Sequence, residues 1–356
     1  MRSPGLSLTP AALLSDTILG SVPAFMDRAS TERSAPATLA SLRQDPATRY
    51  LLMSQRAVPV RADGLRQSVV FVDAATVAAL DPAEVRHEIL LGRVAATEAA
   101  ADGGVNDDGA AAAGQLPVGA AVVALGLASP LATGDERLPS DAVWRGYRET
   151  GAWLGALESE VFLEAQAILG WNETHGFCPR CGSPTGVEQS GWVRRCVAEG
   201  TEIFPRMDPA IIVSLIGPDG RILLGGGGPA DGKGHSVLAG FVDPGESLEQ
   251  AVVRELSEEV AVTVDSVQYL GSQAWPFPQS LMLGFTATTL TGVARPDGVE
   301  VTHARWFDRH ELQDAVLAGE VVLPGRLSIA RDLIEHWYGG LILDPGDPVP
   351  AARTSA

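Results

Sequence analysis

The stretch Gly240 to Val262, "GFVDPGESLEQAVVRELSEEVAV", constrains this chain most. It places five glutamates and one arginine in a segment that otherwise reads as a helix packed on a core. Pro244 and Gly245 make a turn, Ser247 can cap the first helical turn, and Gln250 three residues on completes a capping box. At about 100° per residue, Leu248, Val252, Leu256 and Val260 form an apolar stripe. Glu255 lies on the edge of that stripe, and Glu259 projects into the apolar arc between Leu248 and Val252. Glu258 lies on the other side of Glu255, four residues after Arg254.

A solvated charged face is the ordinary explanation of such a run, but Glu259 is on the wrong side for it. A carboxylate near a core needs a partner or stays protonated. Two carboxylates about 4 Å apart repel by about 4 kcal/mol at an effective dielectric near 20. A divalent cation removes that repulsion. Ligands that are all oxygen suit Mg²⁺ or Mn²⁺, and Mg²⁺ combines a few carboxylates with substrate phosphates. The helix therefore points to phosphate chemistry.

Gly240, Glu246, "RELSEE" at 254–259 and the aliphatic Val262 stand at the spacing of the Nudix box, and this part of the chain resembles that superfamily. One departure is Ala261, where the family has glycine. A left-handed backbone there would cost alanine about 1 kcal/mol. The resemblance implies a Nudix α/β/α sandwich with a mixed sheet. It implies Glu255, Glu259, the distant Glu300 and the backbone carbonyl of Ala239 as metal ligands. Glu258 would be a ligand or a base, Arg254 would orient Glu258 or its neighbours, and Glu246 would brace the loop.

"SQAWPFPQS", residues 272–280, is similar to the SQPWPFPxS signature of the NADH pyrophosphatase subfamily, with Ala274 in place of the first proline. Prolines at 276 and 278 hold an extended segment that presents two aromatic rings, which suits a planar base and a ribose. By the resemblance, Gln273, Trp275, Pro276, Phe277, Pro278 and Ser280 contact substrate. So do Phe204 of "FPR", Phe241 after the first glycine of the box, and the backbone at Ala330. The likeness covers about residues 160–340. It implies metal-dependent hydrolysis of the NAD(H) pyrophosphate to nicotinamide mononucleotide and AMP, removal of NAD caps from RNA as a further reaction, and a homodimer.

The 356 residues suffice for two domains and a small module at about 150 residues per domain. Residues 1–160 read as an N-terminal α/β domain, with "SVVFVDAATVAAL" and "GAAVVALGLA" as strand candidates. The Ala-, Gly- and Asp-rich segment 95–115 reads as a flexible insertion. Residues 161–206 hold a linker helix and a ribbon-like module, 207–340 the Nudix domain, and 341–356 a loose tail. Cys178-Pro-Arg-Cys181 is half of a zinc ribbon. In the other half Cys196 is present, but the fourth position is Glu199. Three thiolates joined by Glu199 or by His175 would hold zinc less tightly than four; a ribbon without zinc, held by its own packing, is the alternative.

The net charge of −18 argues against general attraction to nucleic acid, and hence against a zinc-ribbon nucleic-acid module. No apolar run reaches the roughly 18 residues of a membrane span. The N-terminus reads as mature sequence, so a cytoplasmic location is expected. "GGPADGK" at 227–233 has phosphate-loop spacing but lacks the following Ser or Thr and the following helix. A nucleotide-sensing regulator without activity is the alternative function. Such proteins usually lose box glutamates, and here Glu255, Glu258 and Glu259 are all present.

Overall fold

A computed structural model of the chain describes residues 25–63, 66–96, 116–227 and 232–347. These fall into two compact units, one of residues 25–207 with Trp275–Gln279, the other of Asp208–Ala274 with 280–347. Most of the expected insertion and the last part of the expected tail lie outside the described residues.

In the first unit the strands are β1 (Met26–Asp27), β2 (Arg49–Met53), β3 (Ala57–Asp63), β4 (Arg66–Val69), β5 (Phe71–Val72), β6 (Val85–Val94), β7 (Ala121–Leu127) and β8 (Val143–Gly146). They form one sheet in the order β1-β6-β7-β2-β5 and a second in the order β4-β3-β8. "SVVFVDAATVAAL" is not one strand. It breaks at Asp73, whose carboxylate accepts from Thr76 N and caps a short helix, Ala74–Ala78. A long helix, Ala156–Thr174, precedes the ribbon strands β9 (Thr185–Glu188), β10 (Val193–Cys196) and β11 (Glu202–Ile203).

The second unit is built on β12 (Asp208–Ile216), β13 (Ile222–Gly226), β14 (Leu238–Phe241), β15 (Val264–Trp275), β16 (Ser280–Thr289) and β17 (His303–Phe307). β12 runs parallel to β16 and antiparallel to β13 and β14, so the sheet is mixed. Along β12 the alternation of side chains feeds two cores. Ile211, Val213 and Leu215 pack with Ala251, Val252, Leu256 and Val260 of the carboxylate helix, Leu248–Val260. Ile212 faces the other core, with Phe307, Leu312, Leu333 and Ile334. The helices Arg309–Leu317 and Ile329–Tyr338 close that face. The expected α/β/α sandwich is therefore observed.

Residues 341–347, read from sequence as the start of a loose tail, are held. Ile342 is buried, and the buried Arg331 donates to Ile342 O and to both carboxylate oxygens of Asp344.

The carboxylate helix ends as its sequence suggests. Ala261 is left-handed at φ 55° and ψ 38°, and its N–H donates to Ser257 O while Val262 N donates to Leu256 O. Ala261→Gly should therefore raise stability by about 1 kcal/mol and the melting temperature by a few degrees. A lower melting temperature would show that the strain at this alanine is offset elsewhere.

Candidate functional site: a carboxylate centre and a thiolate cluster

The reciprocal capping bonds form, Gln250 N to Ser247 Oγ at 3.2 Å and Ser247 N to Gln250 Oε1 at 2.8 Å. They fix the start of the helix, and so the angle at which each glutamate leaves it. Glu255 and Glu259 are only 8% and 6% exposed, whereas the Glu258 side chain is 62% exposed. Gly240 of β14 lies directly against Glu255: a Cβ there would stand 1.9 Å from the carboxylate. Only glycine leaves that group its space, which is a steric reason for the first residue of the box.

Arg254 ties the group together. Its Nε and Nη2 donate to the two carboxylate oxygens of Glu246, both at 2.9 Å, and Nη2 also donates to Phe241 O at 2.9 Å. Its Nη1 donates to Glu255 at 2.8 Å and to Glu258 at 3.0 Å. Arg254 holds the Glu246 carboxyl below the usual carboxylate range. Glu246 in turn accepts from Asp243 N, closing the loop before the helix. One guanidinium thus orients three carboxylates and the backbone of Phe241.

Among the described residues no salt bridge reaches Glu259. Burial first, then the charges of Glu255, Glu300, Asp297 and Glu258, push its carboxyl up to about 7. Its Oε2 is buried without a hydrogen-bond partner among the described residues. A buried, unpartnered oxygen under the charge of other carboxylates is what a bound divalent cation would satisfy, and all-oxygen donors are the kind that Mg²⁺ or Mn²⁺ takes. Among the described residues, though, the side chains that already stand together as a metal-holding group are the three cysteines and Glu199, not these carboxylates. Glu300 sits in the loop between β16 and β17, its carbonyl against Gly227, where a Cβ would stand 1.9 Å away. Ala239 lies in β14, paired with Ile212.

The residues expected to contact substrate divide between the units. Trp275 and Phe277 belong to the first, their ring centroids 4.9 Å apart. The Phe277 and Tyr147 ring centroids are 6.3 Å apart, Arg148 stands over the Trp275 and Phe277 rings, and Pro276 O accepts from Gln166 Nε2 at 2.6 Å. Pro278 is in the same segment, and Phe204 is exposed in the same unit. Phe241, Gln273, Ser280 and Ala330 belong to the second unit, Phe241 exposed and Ala330 buried. Gln273 engages both ends of its amide on backbone, Nε2 to Leu327 O at 2.8 Å and Oε1 from Ile329 N at 2.9 Å. It fixes the chain just before Ala330.

In the ribbon, Cys178, Cys181, Cys196 and Glu199 bring their ligand atoms within 4.8 Å of one another. His175, the other candidate, turns its Nδ1 to Trp171 O and Thr174 Oγ1 at 2.9 Å. Three sulfurs and a carboxylate oxygen are a donor set that zinc accepts. Sequence reasoning missed Asp297, the reach of Arg254 to Phe241 and Glu246, and the packing role of the glycines at 225–227. The last two signals were present as the 254–246 spacing and the glycine run.

The sandwich sets a glutamate-bearing helix against β14, and comparison with known proteins identifies the family. The chain matches the NUDIX domain over residues 205–324 and the NADH pyrophosphatase zinc ribbon domain over residues 173–204. It is 38% identical over 217 residues to the NAD-capped RNA hydrolase NudC of Mycobacterium tuberculosis, covering 57% of this chain and 67% of that one. It is also 38% identical over 192 residues to the NAD-capped RNA hydrolase NUDT12 of Homo sapiens, covering 51% of this chain and 42% of that one. The chain thus spans less than half the length of the human relative. A solved NUDIX hydrolase from Nitrosomonas europaea aligns at 21% identity and a TM-score of 0.35, over 46% of this chain and 93% of that one. The chain belongs to the Nudix hydrolases, in the branch that carries the NADH pyrophosphatase zinc ribbon. Among the described residues no helix is long and apolar enough to cross a membrane.

Proposed function

We propose that this chain is a divalent-metal-dependent diphosphatase that cleaves NAD(H) to nicotinamide mononucleotide and AMP and removes NAD caps from RNA. The observation that carries the reading is the buried, unpartnered Glu259 oxygen, whose carboxyl is raised by burial and by the charges of Glu255 and Glu300. The names of the relatives support the substrate class. Glu255, Glu259, Glu300 and the Ala239 carbonyl would hold Mg²⁺ or Mn²⁺. When bound, the metal neutralises the pyrophosphate and acidifies the attacking water. Glu258, exposed and bonded to Arg254, would be a further ligand or the base that takes the proton of that water. Water oxygen joins one phosphorus as the bridging P–O bond breaks, giving two monophosphates. By the resemblance, Phe204, Trp275 and Phe277 in the first unit and Phe241 in the second would each be a substrate contact, as would Pro276, Pro278, Ser280 and the backbone at Ala330.

The domain plan belongs to the same reading: an N-terminal domain to residue 160, a ribbon module to 206, and the hydrolase domain from 207. So do a homodimer and a cytoplasmic location. The decisive experiment incubates the full chain with NADH, or with NAD-capped RNA, and Mg²⁺ or Mn²⁺, and weighs the products. Nicotinamide mononucleotide with AMP, or RNA ending in a 5′-monophosphate, is expected. Intact substrate in every metal would sink the reading.

The reading includes zinc on Cys178, Cys181, Cys196 and Glu199. Glu199→Ala should lower the zinc content of purified protein, and Glu199→Cys should raise affinity and the zinc-dependent melting temperature. Unchanged zinc in the alanine variant would exclude Glu199 as a ligand.

A further inference from the structure

We infer that Asp297 is a positioning residue for the metal centre, holding Glu300 in place against Glu259 through the backbone. The inference rests on the reading of Glu300 as a metal ligand. Glu300 comes from the connection between β16 and β17, which has no regular structure from Leu290 to Thr302. Leu290, Val293 and Val299 are exposed, whereas Val301 is buried in the core with Ala294 packed against it, so apolar burial pins the end of the loop but not the stretch that leads to Glu300. Hydrogen bonds hold that stretch. Arg295 N donates to Val260 O at 2.8 Å and Asp297 N donates to Glu259 O at 2.9 Å, two carbonyls that the carboxylate helix leaves free at its end.

From that anchor the Asp297 side chain reaches forward. Oδ1 accepts from Val299 N at 3.1 Å and from Val301 N at 2.9 Å, and Oδ2 accepts from Glu300 N at 3.2 Å. The carbonyl side of Glu300 is pressed against Gly227, and Thr302 N donates to Gly226 O at 2.9 Å. One residue therefore bonds to the backbone of both Glu259 and Glu300, ligands that lie 41 positions apart in sequence (300 − 259). A ligand on an irregular loop binds metal well only if something else fixes its backbone.

Asp297 is also one of the charges facing Glu259, with Glu255, Glu258 and Glu300, so a purely electrostatic role must be separated from positioning. A double-mutant cycle does this. Mn²⁺ binding to the full chain is followed by titration calorimetry, or by the spin-resonance signal of free Mn²⁺ where binding is weak. Asp297→Ala should weaken Mn²⁺ about tenfold in the unmodified background and change it little in the Glu300→Gln background. Asp297→Asn, which keeps one side-chain oxygen for the loop, should recover part of the loss. If Asp297→Ala does not fold, Asp297→Asn is carried through the same cycle. Equal losses in both backgrounds would show that Asp297 acts by charge or by general stability, and would overturn the inference. If Glu300→Gln itself leaves Mn²⁺ affinity unchanged, the ligand reading of Glu300 fails, and the positioning role fails with it.

Discussion

Glu259→Gln should lower turnover of NADH by more than about a hundredfold and, in the absence of metal, make the protein more stable. The two effects share one cause. The carboxyl is buried and unpartnered, with its pKa raised from 4.5 to about 7 by burial and by Glu255, Glu300, Asp297 and Glu258. In the folded, metal-free protein the proton is therefore held more tightly than in the unfolded chain. The resulting cost is absent below pH 4.5, grows as pH rises, and is complete above pH 7. At about 1.4 kcal/mol per pH unit it amounts to about 3 kcal/mol. Glutamine has nearly the same volume and no charge to bury, so it escapes that cost. It also offers a metal only a neutral oxygen, a loss at least as large as the tenfold to hundredfold that attends groups one step further from a metal. Melting curves in chelator at pH 8, with turnover measured in saturating Mn²⁺, check both halves. A less stable variant, or an active one, would remove Glu259 from the centre of the site.

What could be read from the sequence was what is local and periodic. The burial of Glu255 and Glu259 follows from helical angles against the Leu248, Val252, Leu256 and Val260 stripe, and the capping box from two residues three apart. The helix Arg309–Leu317 was overlooked, although Asp308 and Glu311 at its start are a capping pair in sequence, and Asp308 accepts from Glu311 N. "SVVFVDAATVAAL" misleads because a short apolar run has no period that separates strand from helix; the break is decided by one side chain, Asp73. Asp297 could not be read at all. Its meaning depends on two helix-end carbonyls about forty positions away and on a loop without periodicity. Gly227, first residue of the segment with phosphate-loop spacing, serves close approach to the Glu300 carbonyl, and Gly226 before it meets Gly234 O and the His303 side chain.

Mn²⁺ affinity should fall about tenfold for each pH unit below 7, and level off above it. Metal binding needs the charged form of Glu259, so below a pKa of about 7 the ion must first displace a proton. Between pH 7 and pH 5 that amounts to roughly a hundredfold. The sign is opposite to that of the stability effect: raising the pH strengthens the metal complex while it weakens the metal-free fold, so the stabilisation conferred by Mn²⁺ should be greatest at alkaline pH. Asp332, in the first turn of the helix Ile329–Tyr338, has its carboxyl raised to about 7 by burial and by Glu335, and would add to any stability change in the same range. Glu259→Gln isolates the contribution of interest, because Asp332 titrates in both proteins. The variant should bind Mn²⁺ weakly, with little change between pH 6 and 8, where the unmodified protein still changes. A flat profile in the unmodified protein would mean that Glu259 is already ionised at pH 5, and hence that some cationic partner or open water reaches its buried oxygen without metal.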